Sequence, residues 1–210
     1  MPTDADAPTV EFFFDPACPW TWITSRWMVD VAEQAGIDVE WHALSLGLLN
    51  AGSLEPTDDT PEEFRPRLAL SAKALRIVEQ LASEGRNDEV GRFYTALGTA
   101  VHVDQQDADD GLLADALASA GIEDLQSVGD DHSLDDLVKA SHERAQSLVS
   151  GDDTGSPVIS VGGNAMFGPI VSPAPTGDEA LKLWGSVQAL IATPQFFELK
   201  RNRTDPPKVK

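Results

Sequence analysis

Cys18 is the only cysteine of the chain, and it stands in Phe12-Phe13-Phe14-Asp15-Pro16-Ala17-Cys18-Pro19-Trp20-Thr21, where an apolar run gives way to a helical pattern. A sulfur at the first turn of a helix faces unpaired backbone N–H groups and the positive end of the helix dipole, and both favour thiolate over thiol. Cys18 is therefore a candidate nucleophile, expected to be exposed and to ionise below the ~8.5 of a free thiol. Thr21 follows at the spacing of the redox pair Cys-x-x-Cys, with a hydroxyl in place of the second sulfur, so no intramolecular disulfide can form. That hydroxyl can donate a hydrogen bond to the thiolate. Pro19 pre-organises the first helical turn, and Trp20 offers a flat face to an aromatic or thiol substrate at the surface of a cleft.

The elements that position these residues follow from the hydrophobic pattern. Residues 10–14 mix β-branched and aromatic side chains and are bounded by Asp15-Pro16, which predicts a buried central strand ending near Cys18. Ile23, Trp27, Val31 and Ala35 then recur every four residues up to Gly36, one amphipathic helix. Residues 39–46 alternate Val39, Trp41 and Ala43 against Glu40 and His42, completing a β-α-β unit whose right-handed crossover implies a parallel pair. Residues 50–59 read as a linker. Thr60-Pro61-Glu62-Glu63 has the form of a capping box, opening a helix with Leu68, Leu75, Val78 and Ala82 on its apolar face. A second helix carries Val90, Phe93, Tyr94, Leu97 and Val101, and a third runs over 112–120 to Gly121. A fourth starts at a Ser133 cap with Leu134, Leu137, Val138, Ser141, Ala145 and Leu148 on one side. After Gly151-Asp152-Asp153 the strand pattern returns as a hairpin around Gly162-Gly163-Asn164. Thr176-Gly177-Asp178-Glu179 is a further capping box, for a helix burying Ala180, Leu183, Trp184, Val187 and Ile191. The tail from Lys200 is basic, proline-bearing and expected to be loosely ordered.

The order β-α-β, helices, β-β-α predicts an α/β chain with the thioredoxin fold and an inserted all-α domain. The expected division is 1–52 and 151–210 for the thioredoxin-fold halves and 53–150 for the insertion. In that fold a cis-proline loop lies against the cysteine and presents backbone groups to the substrate. Thr154-Gly155-Ser156-Pro157 is the candidate for it, and Ser156 and Pro157 join Pro19 and Trp20 as thiol- or substrate-binding residues. His102 is a further candidate, either facing the cleft between the two domains or serving as an ordinary helix-end histidine.

The 210 residues, 41% hydrophobic, suffice for one good core. Acidic residues number 35 against 15 basic, and the net charge of -20 repels phosphate backbones and anionic lipid, so neither nucleic acid nor membrane is an expected partner. No apolar run approaches the ~20 residues needed to span a bilayer. The opening Met1-Pro2-Thr3-Asp4-Ala5-Asp6 does not read as a signal peptide, and a single cysteine fits a reducing compartment; a cytoplasmic protein is expected. His42, His102, His132 and His142 show no metal-ligand spacing, and the acidic run over 104–110 lacks that of an EF-hand. Gly162-Gly163 is not followed by a helix. Neither metal, flavin nor nicotinamide is expected. Trp27 and Trp41 read as core, and His42 as a hydrogen-bonded structural residue.

The segment Phe14-Asp15-Pro16-Ala17-Cys18-Pro19-Trp20-Thr21-Trp22-Ile23-Thr24-Ser25-Arg26-Trp27, with Thr154-Gly155-Ser156-Pro157, Phe167-Gly168-Pro169 and Phe196-Phe197-Glu198-Leu199-Lys200-Arg201, closely resembles the actinobacterial mycothiol-dependent nitroreductase family of DsbA-like proteins. The resemblance covers about residues 10–206 and is least distinctive in the helical insertion. It implies a thioredoxin fold with an α-helical insertion, electrons supplied by mycothiol, and reduction of disulfides or nitroaromatic compounds. It makes Cys18 the attacking cysteine, Trp20 the residue within the motif and Pro157 the cis-proline. Thr21 departs from the family pattern, in which a second, resolving cysteine stands. The first reading is a monothiol cycle, in which Cys18 forms a mixed disulfide with mycothiol and a second mycothiol resolves it. The second is a kappa-type glutathione transferase or 2-hydroxychromene-2-carboxylate isomerase, where Thr21 or Ser25 would orient a bound low-molecular-weight thiol. The third is a redox-inactive binding module of the same fold.

Overall fold

The computed structural model describes residues 9–149 and 155–209; the opening hexapeptide, Gly151-Asp152-Asp153 and Thr154 lie outside them. β1 (Val10–Phe14) is apolar on one face and carries Glu11 and Phe13 on the other, and all five residues are buried. Such a strand belongs inside a sheet, and the observed order is β2-β1-β3-β4. β2 (Val39–Ala43) pairs parallel to β1, with Phe12 opposite Trp41. β3 (Val158–Val161) pairs antiparallel on the other side, with Phe13 opposite Val158, and β4 (Asn164–Phe167) completes the hairpin. Its turn is the pair Gly162-Gly163, with φ +57 and +85, the left-handed conformations that a two-residue type I′ turn requires.

α1 (Pro19–Ala35) carries the chain from β1 to β2, with Pro19 in its first turn and Gly36 at its end. It buries Trp22, Ile23, Trp27, Met28 and Val31, whereas Ala35 is exposed, so the buried stripe stops short of the sequence repeat and takes in Trp22. Between β2 and β3, among the described residues, there are helices and turns and no strand. They are α2 (Leu46–Ala51), α3 (Arg65–Ser83), α4 (Asn87–Gly98) continued by a π turn over Thr99–Val103, and α5 (Asp110–Ala120). Two 3-10 turns, Glu123–Asp130 and His132–Leu134, then lead into α6 (Asp135–Val149). α7 (Asp178–Ile191) packs against α1, where the Trp27 indole N–H donates to the Ala180 carbonyl at 3.1 Å. One apolar cluster joins Phe12, Phe14 and Trp27 to Tyr94, Leu97 and Leu117 of the helical layer, and Phe14 stacks on Tyr94 with ring centroids 3.9 Å apart. No helix among the described residues is long and apolar enough to cross a membrane.

Several local expectations fail, each because a backbone group finds another partner. The strand expected over 39–46 stops at Ala43, since the Ser45 hydroxyl accepts the Leu48 N–H at 3.2 Å and starts α2, which runs into the expected linker. Thr60 does not cap a helix. Its hydroxyl accepts the Thr57 N–H at 2.9 Å, and α3 begins only at Arg65, whose guanidinium ties the turn through the Thr60 and Asp58 carbonyls. At α7 the cap position is Gly177, whose N–H goes to Asp30 of α1 at 3.0 Å. Ser133 lies within a 3-10 turn closed by the Asp131 carboxylate, and Leu137 faces out at 42% exposure.

β2 is an edge strand, and its outer backbone groups are met by helix side chains. Asn87 of α4 accepts the Trp41 N–H at 2.8 Å and donates to the Val39 carbonyl at 2.6 Å. Glu79 of α3 accepts the Ala43 N–H at 2.8 Å, and Ser141 of α6 donates to the Ala43 carbonyl at 3.0 Å.

Candidate active site at the start of the first helix

Cys18 occupies the N-cap position of α1, with φ -85 and ψ 112, so the strand-to-helix placement read from the sequence is where the sulfur lies. Its N–H donates to the Asp15 carbonyl at 3.1 Å and its carbonyl accepts the Trp22 N–H at 3.0 Å. Exposure is the first correction: Cys18 is buried, with 8% of its surface accessible. Ionisation is the second. Burial pushes the thiol above its ordinary range, and hydrogen bonds from the Thr21 hydroxyl, the Thr21 N–H and the Trp20 N–H recover only part of that. The nearby Asp15 carboxyl adds to the upward shift. The resting sulfur is a thiol that three donors stand ready to stabilise as thiolate.

Thr21 is fully buried, and its hydroxyl lies 2.8 Å from that of Ser156. Two segments 135 residues apart are thereby brought together. The Ser156–Pro157 peptide is cis, Pro157 is buried, and its carbonyl accepts the Gly168 N–H at 2.8 Å. One turn further along α1, the Thr24 hydroxyl donates to the Pro169 carbonyl at 3.0 Å. Pro19 and Trp20 are half-buried on the other flank of the sulfur. The tail forms no helix or strand but is not detached, since an aromatic face attracts its cation. The Arg203 guanidinium lies over the Trp20 ring at 4.9 Å, the Lys208 N–H donates to the Ser172 hydroxyl at 2.9 Å, and Val209 packs against the core.

His102 does not face an open cleft. It is 2% exposed, lies in the π turn after α4, stacks beside Trp22 and donates from Nε2 to the Pro16 carbonyl at 2.8 Å. Burial pulls its pKa down to about 4, so the ring is neutral at pH 7 and supports the loop before Cys18 from below. Trp22 reaches this position because α4 presents Gly98 there: a Cβ at Gly98 would stand 2.3 Å from the indole. Ser25 is committed to its own helix, donating to the Trp22 carbonyl at 2.6 Å and accepting from Arg26.

Asp15 is the functional-loop residue that sequence reasoning missed. Read as a turn former, it is fully buried, and one carboxylate oxygen accepts from the Ala17 N–H and the Ser71 hydroxyl, both at 2.7 Å, while the other accepts the Leu46 N–H at 2.6 Å. Burial raises its pKa against the pull of these donors. An Asp-Pro pair just ahead of a candidate nucleophile was the available signal.

Among the described residues, Glu11, Glu40 and His42 are the group whose ligand-type atoms come within 4.8 Å of one another. His42 Nε2 lies 3.7 Å from each carboxylate, beyond hydrogen-bond reach, and has no hydrogen-bond partner among the described residues, unlike the hydrogen-bonded residue expected. Arg144 pairs with Glu11 at the same place, so the cluster is a charge network on β1 and β2, apart from the Cys18 loop. An open groove of about 940 Å³ between α1, β2, α4 and α5, lined by Trp41, Thr95 and Asp115 among others, likewise lies away from the sulfur.

The family model for the Rv2466c-like mycothiol-dependent nitroreductases matches residues 17–201. The uncharacterized protein Rv2286c of Mycobacterium tuberculosis is 31% identical over 203 residues, covering 93% of this chain and 83% of that protein. Among solved structures, the cytosolic disulfide reductase DsbM from Pseudomonas aeruginosa with GSH aligns over 87% of this chain and all of its own, with TM-score 0.55 and 16% identity. MdbA, a thiol-disulfide oxidoreductase from Corynebacterium diphtheriae, aligns over 80% of this chain and 81% of its own, with TM-score 0.51 and 20% identity. These structural matches establish the DsbA-like thioredoxin fold.

Proposed function

The chain belongs to the family of Rv2466c-like mycothiol-dependent nitroreductases, and on that premise we propose that it is a monothiol oxidoreductase acting through Cys18, with mycothiol as co-substrate and a disulfide or nitroaromatic compound as acceptor. The observation that carries this reading is the 2.8 Å contact between the Thr21 and Ser156 hydroxyls, which sets the start of α1, with the only cysteine at its cap, against the Pro157 loop. Cys18 loses its proton and attacks one sulfur of a disulfide. The S–S bond breaks, one half remains on Cys18, and the other leaves as a thiolate that takes up a proton. Attack by a mycothiol thiolate on the sulfur bonded to that of Cys18 releases the Cys18 thiolate and leaves that half as a mixed disulfide with mycothiol, which a second mycothiol opens to mycothiol disulfide and the free thiol. Mycothiol supplies the thiol and the electrons; two equivalents deliver two electrons and two protons, enough to open one disulfide or to remove one nitro oxygen as water.

The residues present suit such a thiol. Thr21, held by Ser156, donates to the sulfur as it becomes a thiolate and as it is released again. Pro19 and Trp20 flank the partner on the helix side, and Ser156 and Pro157 on the loop side. A hydroxyl already engaged with Ser156 and with the protein's own sulfur is poorly placed to activate a different thiol, which puts the transferase reading second. A reducing cytoplasm is the compartment this cycle needs.

Intact-mass analysis after oxidised and then reduced mycothiol, with Cys18→Ser alongside, tests the reading. We expect an adduct on the native chain that reduced mycothiol removes, none on Cys18→Ser, and thiol-dependent turnover of disulfides and nitroaromatics at background in the variant. Unchanged turnover in Cys18→Ser would sink the monothiol cycle.

A further inference from the structure

We propose that Arg203 is a specificity-determining residue of the Cys18 site: held over Trp20 by the folded-back tail, it sets a positive charge at the mouth and favours acceptors bearing a carboxylate or sulfonate over neutral ones of the same size. The proposal rests on the reading of Cys18 as the nucleophile.

Placement comes first. The guanidinium lies 4.9 Å over the ring of Trp20, two residues beyond Cys18 in the first turn of α1, and Arg203 itself is exposed to solvent. The tail beyond it is tied down by the Lys208 N–H on Ser172 and by Val209 on the core, which fixes the approach of Arg203 to the ring. Pairing comes second. Arg65, Arg76, Arg86 and Arg144 each pair with a carboxylate. Arg203, in a chain with 35 acidic residues against 15 basic, has no carboxylate partner among the described residues. A guanidinium over an aromatic ring makes no hydrogen bond to it, so its N–H donors stay free to meet a carboxylate in pairs. Range comes third. The net charge of -20 repels anions from a distance, but screening at physiological salt has a length of about 8 Å, so local charges decide: the buried Asp15 carboxyl beside the sulfur acts in the native chain and in an Arg203 variant alike, and Arg203 is the exposed cation over Trp20. Lys200, Arg201 and Lys208 outnumber Glu198 and Asp205 in the same tail, so its own charge is positive.

Because Cys18 is the only cysteine, alkylation of the full chain by iodoacetate and by iodoacetamide, followed by intact mass, compares an anionic with a neutral probe at one sulfur. Each rate is divided by that of a cysteine peptide. Arg203→Gln should lower the normalised iodoacetate-to-iodoacetamide ratio about three- to fivefold, the effect of one charge several ångströms away in water. Arg203→Lys should restore most of the ratio, and about 0.5 M salt should abolish the difference between the native chain and Arg203→Gln. A tail that only covers the sulfur would change both rates together; an unmoved ratio in Arg203→Gln overturns the proposal. Reaction with neither reagent overturns the nucleophile reading and the proposal with it.

Discussion

The two loops that meet at Cys18 are held by different means. On the side of the helical layer, the segment 15–17 is fixed by buried contacts, three donors on the Asp15 carboxylate and His102 on the Pro16 carbonyl. Across the sulfur, the Ser156–Pro157 loop meets α1 through a single pair of hydroxyls, with Thr24 on the Pro169 carbonyl beyond it. The first loop decides where the sulfur stands, and the second meets, through Ser156, the Thr21 hydroxyl that favours its ionisation. Mutation should therefore separate stability from reactivity.

The largest effect should come from the first loop. Asp15→Ala leaves the Ala17 and Leu46 N–H groups and the Ser71 hydroxyl without their acceptor, and should cost about 3 kcal/mol in urea unfolding. A loss under about 1 kcal/mol would mean that the loop is held by something else. His102→Gln, which keeps a donor for Pro16, tests the same side through pH. The folded chain holds His102 neutral down to about 4 while the unfolded chain protonates it near the ordinary histidine value. Stability supplied by the neutral ring is thus complete above that value and is lost as pH falls toward 4. Between pH 7.5 and 4.5 the native chain should lose about 2.5 kcal/mol more than His102→Gln. Equal slopes would remove His102 from the comparison.

The contact between α1 and the second loop should show smaller effects, and on chemistry. Because burial holds Cys18 as a thiol, its alkylation by iodoacetamide should climb as pH rises through and beyond the range of ordinary thiols. Thr21→Val removes a donor to the thiolate, so this rise should move to higher pH and the rate at pH 8 should fall about three- to tenfold. Ser156→Ala leaves that donor in place and should slow alkylation less than about threefold. Equal losses would show that the hydroxyl pair acts as one unit.

What was legible in the sequence was what local residues decide. The apolar run of β1, Pro19 in the first turn and the repeat Ile23, Trp27, Val31 put the sulfur at the junction of β1 and α1. The Gly162-Gly163 hairpin was equally local. Burial of Cys18 was not, because it depends on what folds over the junction. Nor was the role of Asp15, whose partners Leu46 and Ser71 lie 31 and 56 residues further on. His102 could be placed at a helix end, but its acceptor is 86 residues earlier. The boxes at Thr60 and Thr176 had the right spacing and still failed, because the Thr60 hydroxyl accepts the Thr57 N–H and the N–H of Gly177 goes to Asp30. The tail read as loose since nothing near it in sequence hinted at Trp20.

A strand at the rim of a sheet is a template onto which another chain can add and continue the ladder. At β2 that template is spoiled: the Val39 carbonyl, the Trp41 N–H and both groups of Ala43 are taken by Asn87, Glu79 and Ser141. These side chains come from three helices that follow β2 in the chain. The helical layer thus seals the margin of the sheet against open-ended aggregation, and neither a second copy nor an unfolded polypeptide can extend it there.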